Sequence, residues 1–334
     1  MCAYIILLCG LPDKIWYTLG IDMINRELIR TKIVQLTYAY YQNGNQNIEN
    51  AEKELVFSLD KSYDLYNYLL DLIVALTRVE RQRNEIALAR YERGDAPLPS
   101  NRFADNKFVA QLEENVMLNT WREKQRHTWD DDITVVRKIL DDIVASETYM
   151  AYMAMETEPT YEQDRELWRK LYKNFIVDND AVNHVLEERS LYWNDDKAVV
   201  DTFVIKTIKR FEQANGANQE LLPKYKDMED LDFAKRLFRT TIDNAEEYQQ
   251  YMTATSRNWD FSRLAYMDVV IMQIAIAEML TFPAIPVLVT INEYVDLAKS
   301  YSTPKSSRYF TGMLDSIARY LAETGKMLKP IPER

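Results

Sequence analysis

Two histidines, His127 and His184, and a run of three carboxylates, Asp130, Asp131 and Asp132, are the first side chains here whose types suggest chemistry. Imidazole beside carboxylate can move protons or hold a metal ion. The spacing supports neither use. A di-metal helical site takes paired Glu-x-x-His, whereas Lys124 stands three before His127 and Ala181 three before His184. Consecutive aspartates point to different sides of a helix, and a helix N-terminus attracts carboxylates without any metal. Neither a serine–histidine–acid set nor a glycine-rich phosphate loop of either common form can be read in the chain. The sequence therefore predicts no enzyme, no metal and no cofactor.

The elements that would position any site are helices. Only seven glycines occur in 334 residues, roughly a third of the usual share of about 7%, and hairpin-rich folds and nucleotide-binding turns both need glycine for positive φ. The 47% apolar content is ordinary for a folded chain. No apolar run reaches the roughly 18 residues of a membrane span, since the longest, Met267 to Leu280, is interrupted by Gln273 and Glu278. Residues 1–22 hold both cysteines, Cys2 and Cys9, but lack a positively charged start, so they read as a start-site artefact or a flexible tail. A cytoplasmic location is expected from the absence of a disulfide framework and of an export signal.

From Met23 onward the pattern is helical throughout. Leu65, Leu69, Leu72, Leu76 and Val79 step by four and three, and Gly94 to Pro99 ends that long helix. Further helices fit 107–126, 132–154, 161–176, 180–190, 196–214, 230–257, 263–281, 287–301 and 306–323. The fold class is all-α. A weak repeat runs through the middle: Trp129 with Asp132 and Val135-Val136 matches Trp193 with Asp196 and Val199-Val200, 64 residues on. Trp259-Asp260 follows 66 residues later, and Leu171-Tyr172 matches Leu237-Phe238. Stacked helical repeats would produce this, and so would aspartate simply capping helices after tryptophan.

The C-terminal quarter is the most specific part. Val269 to Leu280 is apolar nearly all round apart from Glu278, as suits the central helix of a bundle. Pro286 fits the first turn of the next helix, whose buried stripe is Val287, Ile291 and Val295. Gly312, inside a helical pattern, points to a close helix crossing. Then come Ile291-Asn292-Glu293, Leu297-Ala298-Lys299-Ser300-Tyr301, a basic–aromatic pair at Arg308-Tyr309, and Gly312-x-Leu314-Asp315. In this order and spacing these residues resemble the C-terminal signature of the NusB family of bacterial transcription antitermination factors. Arg26, Arg30, Val34-Gln35 and Tyr38 resemble that family's arginine-bearing first helix.

The resemblance implies NusB-like helical bundles enlarged by an extra bundle. Residues 23–95 hold the N-terminal helices, 96–225 a helical insert that a duplicated bundle would explain, 226–325 the C-terminal bundle and 326–334 a tail. It also implies a non-enzymatic role: binding single-stranded boxA RNA of ribosomal RNA leaders with a small-subunit ribosomal protein, NusE, to load an antitermination complex on RNA polymerase. The implied RNA contacts are Arg26, Arg30, Lys32 and Tyr38 on the first helix. At the other end they are Lys299, Tyr301, Ser302, Lys305 and Arg308. Asp268 and its surroundings take the place where the family carries a carboxylate for the protein partner. The chain departs from the family in its insert, in the loop Ser302 to Ser307, and in a thinner arginine cluster on the first helix.

Charge agrees with this division. The chain carries −11 overall, yet residues 23–32 and 292–334 are each +2, and phosphate attraction needs only a local patch. Tyr38 and Tyr301 could stack on unpaired bases. Two other readings stay open: a protein–protein scaffold that binds no RNA, and a NusB-like module serving an RNA-modifying system.

Overall fold

Asn25 opens the first helix by accepting the Leu28 N–H on its side chain at 2.9 Å, which satisfies one of the orphan donors of a helix start. From there the chain is helix after helix, in a computed structural model that describes residues 23–44, 47–225, 227–256, 264–303 and 306–331. Among the described residues there are fourteen α-helices, one 3₁₀ turn and no strand. The expectation for residues 1–22, and the Trp259-Asp260 part of the repeat, lie outside the described residues. The chain divides into two compact units, one running to Leu59 and resuming at Tyr225, the other Asp60–Lys224. The first division falls inside a helix, whereas the sequence places it after residue 95.

The first unit contains α1 (Arg26–Gln42), the start of α2 (Ile48–Glu92), α10 (Met228–Asp243), α11 (Ala245–Thr255), α12 (Tyr266–Thr281), α13 (Val287–Tyr301) and α14 (Ser306–Glu323). Its centre is α12, which touches α1, α10, α11, α13 and α14. Every residue from Val270 to Met279 is buried, as the near-continuous apolar pattern requires. Pro286 stands at the N-cap of α13, and Tyr294 and Ala298 complete the buried stripe begun by Val287 and Ile291. Gly312 is a correction. It faces solvent, and a Cβ built there would meet nothing within 4 Å, so no helix crosses close to it.

The second unit contains the rest of α2 with α3 (Lys107–Glu113), α4 (Val116–Arg122), α5 (Ile133–Val144), α6 (Glu147–Met153), α7 (Tyr161–Phe175), α8 (Asp180–Arg189) and α9 (Lys197–Arg210). Here α7 is the hub, touching α3, α5, α6 and α9. The Trp129 indole N–H donates to the Tyr68 carbonyl at 2.8 Å, and that of Trp193 to the Lys61 carbonyl at 2.7 Å. Both indoles lie against the Tyr68 ring, with centroids 4.5 and 5.4 Å away. Asp132 and Asp196 each stand at an N-cap without a side-chain capping bond. Their carboxylates go elsewhere, Asp132 to Arg189 at 2.7 Å and Asp196 to Ser62 at 2.5 Å.

Three helices expected as continuous are broken in two. Asn115 restarts one by accepting from Leu118 N–H and donating to the Gln219 carbonyl. Ser146 restarts another by accepting from Tyr149 N–H at 3.1 Å. Asn244 separates α10 from α11. Each break sits at a residue that competes with the helix backbone for hydrogen bonds.

Candidate nucleic-acid interface

The apolar face of α1, with Leu28, Ile29, Ile33 and Val34, is buried. Arg30 is buried with it, at 4% exposure. Its guanidinium grips Glu278 with two bonds, Nε to Oε2 at 2.7 Å and Nη2 to Oε1 at 3.0 Å, and reaches Glu293 at 3.2 Å. The same Glu278 accepts from Thr290 at 2.9 Å and Tyr294 at 3.0 Å. Burial alone would lower the Arg30 pKa, but Glu278 outweighs it and holds the guanidinium charged. Burial and then the Glu278 charge push the Tyr294 hydroxyl well above its ordinary pKa, so it remains a donor. A buried charge is tolerable only when paired and fully hydrogen-bonded, and this network meets that condition.

Arg30 is thus a correction to the expected RNA contacts: it fastens α1 to α12 and α13 and offers nothing to solvent. Lys32, at 1% exposure, is a second, because a side chain enclosed by protein cannot reach a phosphate. Asp268 is a third. It is fully buried, with its two oxygens accepting from the Ser302 hydroxyl and, at 2.9 Å, from the Tyr309 hydroxyl. It ties the end of α13 and the start of α14 to the central helix instead of facing a partner. The Ser302 hydroxyl is engaged in the same contact.

Four expected residues do reach the surface of this unit. Arg26 keeps 42% of its side chain exposed, 3.5 Å from Asp230, with its guanidinium 4.9 Å from the centre of the Phe233 ring. Lys299 is 59% exposed and pairs with Asp296 one turn earlier, at 2.7 Å. Tyr38 and Tyr301 are half-buried. Lys305 and the side chain of Arg308 lie outside the described residues.

Helices α1 and α13 meet in this unit. Gln35 of α1 donates to the Tyr301 hydroxyl at 2.8 Å. Tyr38 packs edge-on against Tyr266 with ring centroids 5.8 Å apart, and Tyr41 contacts the same ring at 6.4 Å. Burial, then neighbouring Tyr266 and Tyr40, raise the Tyr41 hydroxyl above its ordinary pKa. Sequence reasoning missed Gln35 and Tyr266 as parts of this surface. The signal for Tyr266 was an aromatic residue at the first position of a helix that is apolar nearly all round.

The two histidines are exposed, each facing a carboxylate four residues on, Asp131 at 3.1 Å and Glu188 at 3.3 Å. Among the described residues, no group of three or more histidine, cysteine and acidic side chains could hold a metal ion. Nor is any helix there long and apolar enough to cross a membrane.

A helix buried all round, with α1, α13 and α14 folded against it, defines an all-α bundle protein in which Tyr38 meets Tyr266 and Gln35 meets Tyr301. The NusB family profile matches residues 199–319, from within α9 to within α14. The transcription antitermination protein NusB of Salinibacter ruber is 33% identical over 132 residues, covering 38% of this chain and 82% of that protein. The NusB proteins of Natranaerobius thermophilus and Chloroherpeton thalassium are 43% and 35% identical, over 58% and 49% of their lengths. No solved structure matches significantly. The chain belongs to the NusB family, as a long form in which residues 1–198 precede the segment that the profile matches.

Proposed function

We propose that the protein acts in transcription antitermination, binding single-stranded boxA-type leader RNA together with the small-subunit ribosomal protein NusE and loading that assembly on RNA polymerase. The observation that carries the reading is the Gln35–Tyr301 bond, which puts the two family-like ends of the chain on one surface. Lys299 is an exposed cation near Tyr301, Tyr38 and Tyr301 supply ring faces, and Arg26 adds an exposed cation at the start of α1. Such a combination suits an unpaired strand, whose phosphates seek charge and whose bases seek aromatic partners. Lys305 and Arg308 follow in the chain and extend the basic character. The curated relatives named above carry antitermination in their names. With Asp268 buried, its exposed neighbour Tyr266 becomes the contact proposed for the protein partner.

The reading is tested by titrating labelled leader RNA with Arg26→Glu and Lys299→Glu proteins, with and without the ribosomal partner. Each reversal is expected to weaken binding and to lower the log–log salt slope by about 0.7 per lost phosphate contact. The partner is expected to tighten binding at least about tenfold, or roughly 1.4 kcal/mol. Unchanged affinity in both variants at low salt would remove this surface from consideration.

A further inference from the structure

The second unit is acidic, with 23 basic and 31 acidic side chains over residues 60–224. Its charge is unevenly placed. On α7 and α9 the outward positions carry Lys170, Lys173, Lys206 and Lys209, all exposed, with Arg169 and Arg210 half-buried beside them; the acids on this side of α7 are the exposed Glu162 and the half-buried Glu166, toward its start.

These two helices lie side by side and antiparallel, because the Tyr172 hydroxyl donates to Asp201 at 2.6 Å while Arg165 donates to the Phe211 carbonyl at 2.6 Å. That register sets Glu166 near Lys209. Glu166 is clasped by Arg169 at 2.5 and 2.6 Å. Its carboxyl is held below the ordinary range by Arg169 first, against a small burial effect, and then by Lys170 and Lys209. The outward face of α9 adds no acid: Ala198, Val199, Thr202 and Ile205 complete it. On each helix two lysines stand three residues apart, about one 5.4 Å turn.

We propose that this face of α7 and α9 binds the phosphate backbone of single-stranded RNA, as a tracking surface additional to the interface carried by Arg26 and Lys299. The identity of the polymer rests on the proposed function. Protein partners are held mainly by buried aromatic and large apolar anchors, and this face offers none, since Phe203 beneath Lys206 is 2% exposed. Phosphate contacts need only placed cations, and they carry no sequence information. With no exposed ring to stack a base, the surface holds any sequence alike.

The test uses the full chain with Lys173, Lys206 and Lys209 all changed to Glu, and labelled oligo-U and oligo-A RNAs of roughly 30 nucleotides, a length spanning several single-strand binding sites. At least about tenfold weaker binding is expected for both, with the salt slope lower by roughly 2 for three lost contacts. Thermal unfolding checks the fold, and a Lys206→Gln, Lys209→Gln protein serves if the reversal variant is unstable, with about two-thirds of the slope change. Unchanged affinity overturns the proposal, and so does a loss confined to one base. Arg26→Glu, Lys299→Glu protein measured in parallel separates the two readings. Loss only there leaves the first interface standing and this one refuted, whereas loss only in the lysine variant does the reverse.

Discussion

The Gln35 side-chain amide donates to the Tyr301 hydroxyl across 266 residues of sequence, at 2.8 Å. The hydroxyl therefore has a structural task, and the ring is the part left for a base. Tyr301→Phe is expected to cost stability about 1 kcal/mol while leaving RNA affinity close to wild type. Tyr301→Ala should also lose about 1–3 kcal/mol of RNA binding, the usual worth of one stacked base. Anisotropy titration of the two proteins decides it, and equal losses would shift the role from ring to hydroxyl.

Arg30 and Arg26 stand one helical turn apart and should behave as opposites. Arg30→Ala strands Glu278 in the core and is expected to cost about 3–5 kcal/mol. Arg26→Ala removes a solvent-exposed contact to Asp230, worth about 0–1 kcal/mol. Asp268→Asn, which weakens a buried carboxylate's hold on Ser302 and Tyr309, should fall between them at about 1–3 kcal/mol. Urea midpoints rank the three, and a stable Arg30→Ala protein would contradict the buried network.

Gly312→Ala is expected to stabilise the protein. The site is an exposed position inside α14 with open space where a Cβ would go, so the gain is the helix propensity difference, about 0.8–1 kcal/mol. A raised thermal midpoint is the readout. A lowered one would show that the missing side chain matters for a bound partner or a packed neighbour.

Alkali should unfold the chain in step with its tyrosines. Burial, followed by the charges of Asp201 and Glu278, pushes the hydroxyls of Tyr172 and Tyr294 well above their ordinary pKa, whereas in the unfolded chain they titrate near about 10. The folded state holds these protons more tightly, so their contribution is intact below about pH 10 and is lost as pH rises beyond it. The last part of the phenolate absorbance should rise together with the loss of helical circular dichroism. Complete phenolate formation before helix loss would mean these hydroxyls are accessible.

The stripes of α2 and the all-round burial of α12 were legible in the sequence, because periodicity reports burial directly. The helix breaks at Asn115 and Ser146 were not, since a capping residue inside an amphipathic run leaves the apolar period intact. Among the candidate contacts, Arg26, Tyr38, Lys299 and Tyr301 reach the surface, while Arg30, Lys32 and Asp268 do not. Residue type cannot separate these groups. A charged side chain reads as solvated until its partner is known, and the partners of Arg30 lie 248 and 263 residues away. The apolar surroundings of Glu278 were the available hint that a buried cation had to exist somewhere.

Trp129 and Trp193 hang from carbonyls seven residues apart on α2, those of Tyr68 and Lys61. Seven residues advance a helix by about 10.5 Å, close to the 8–10 Å that separates packed helices. A 64-residue interval in the chain is thereby converted into two turns along a single rod, and the rod works as a ruler for the modules attached to it. Lengthening this unit would require growth in both places at once, two more turns of α2 and one more tryptophan-bearing segment. An insertion in either alone would leave an indole without its carbonyl or a stretch of helix without its cover.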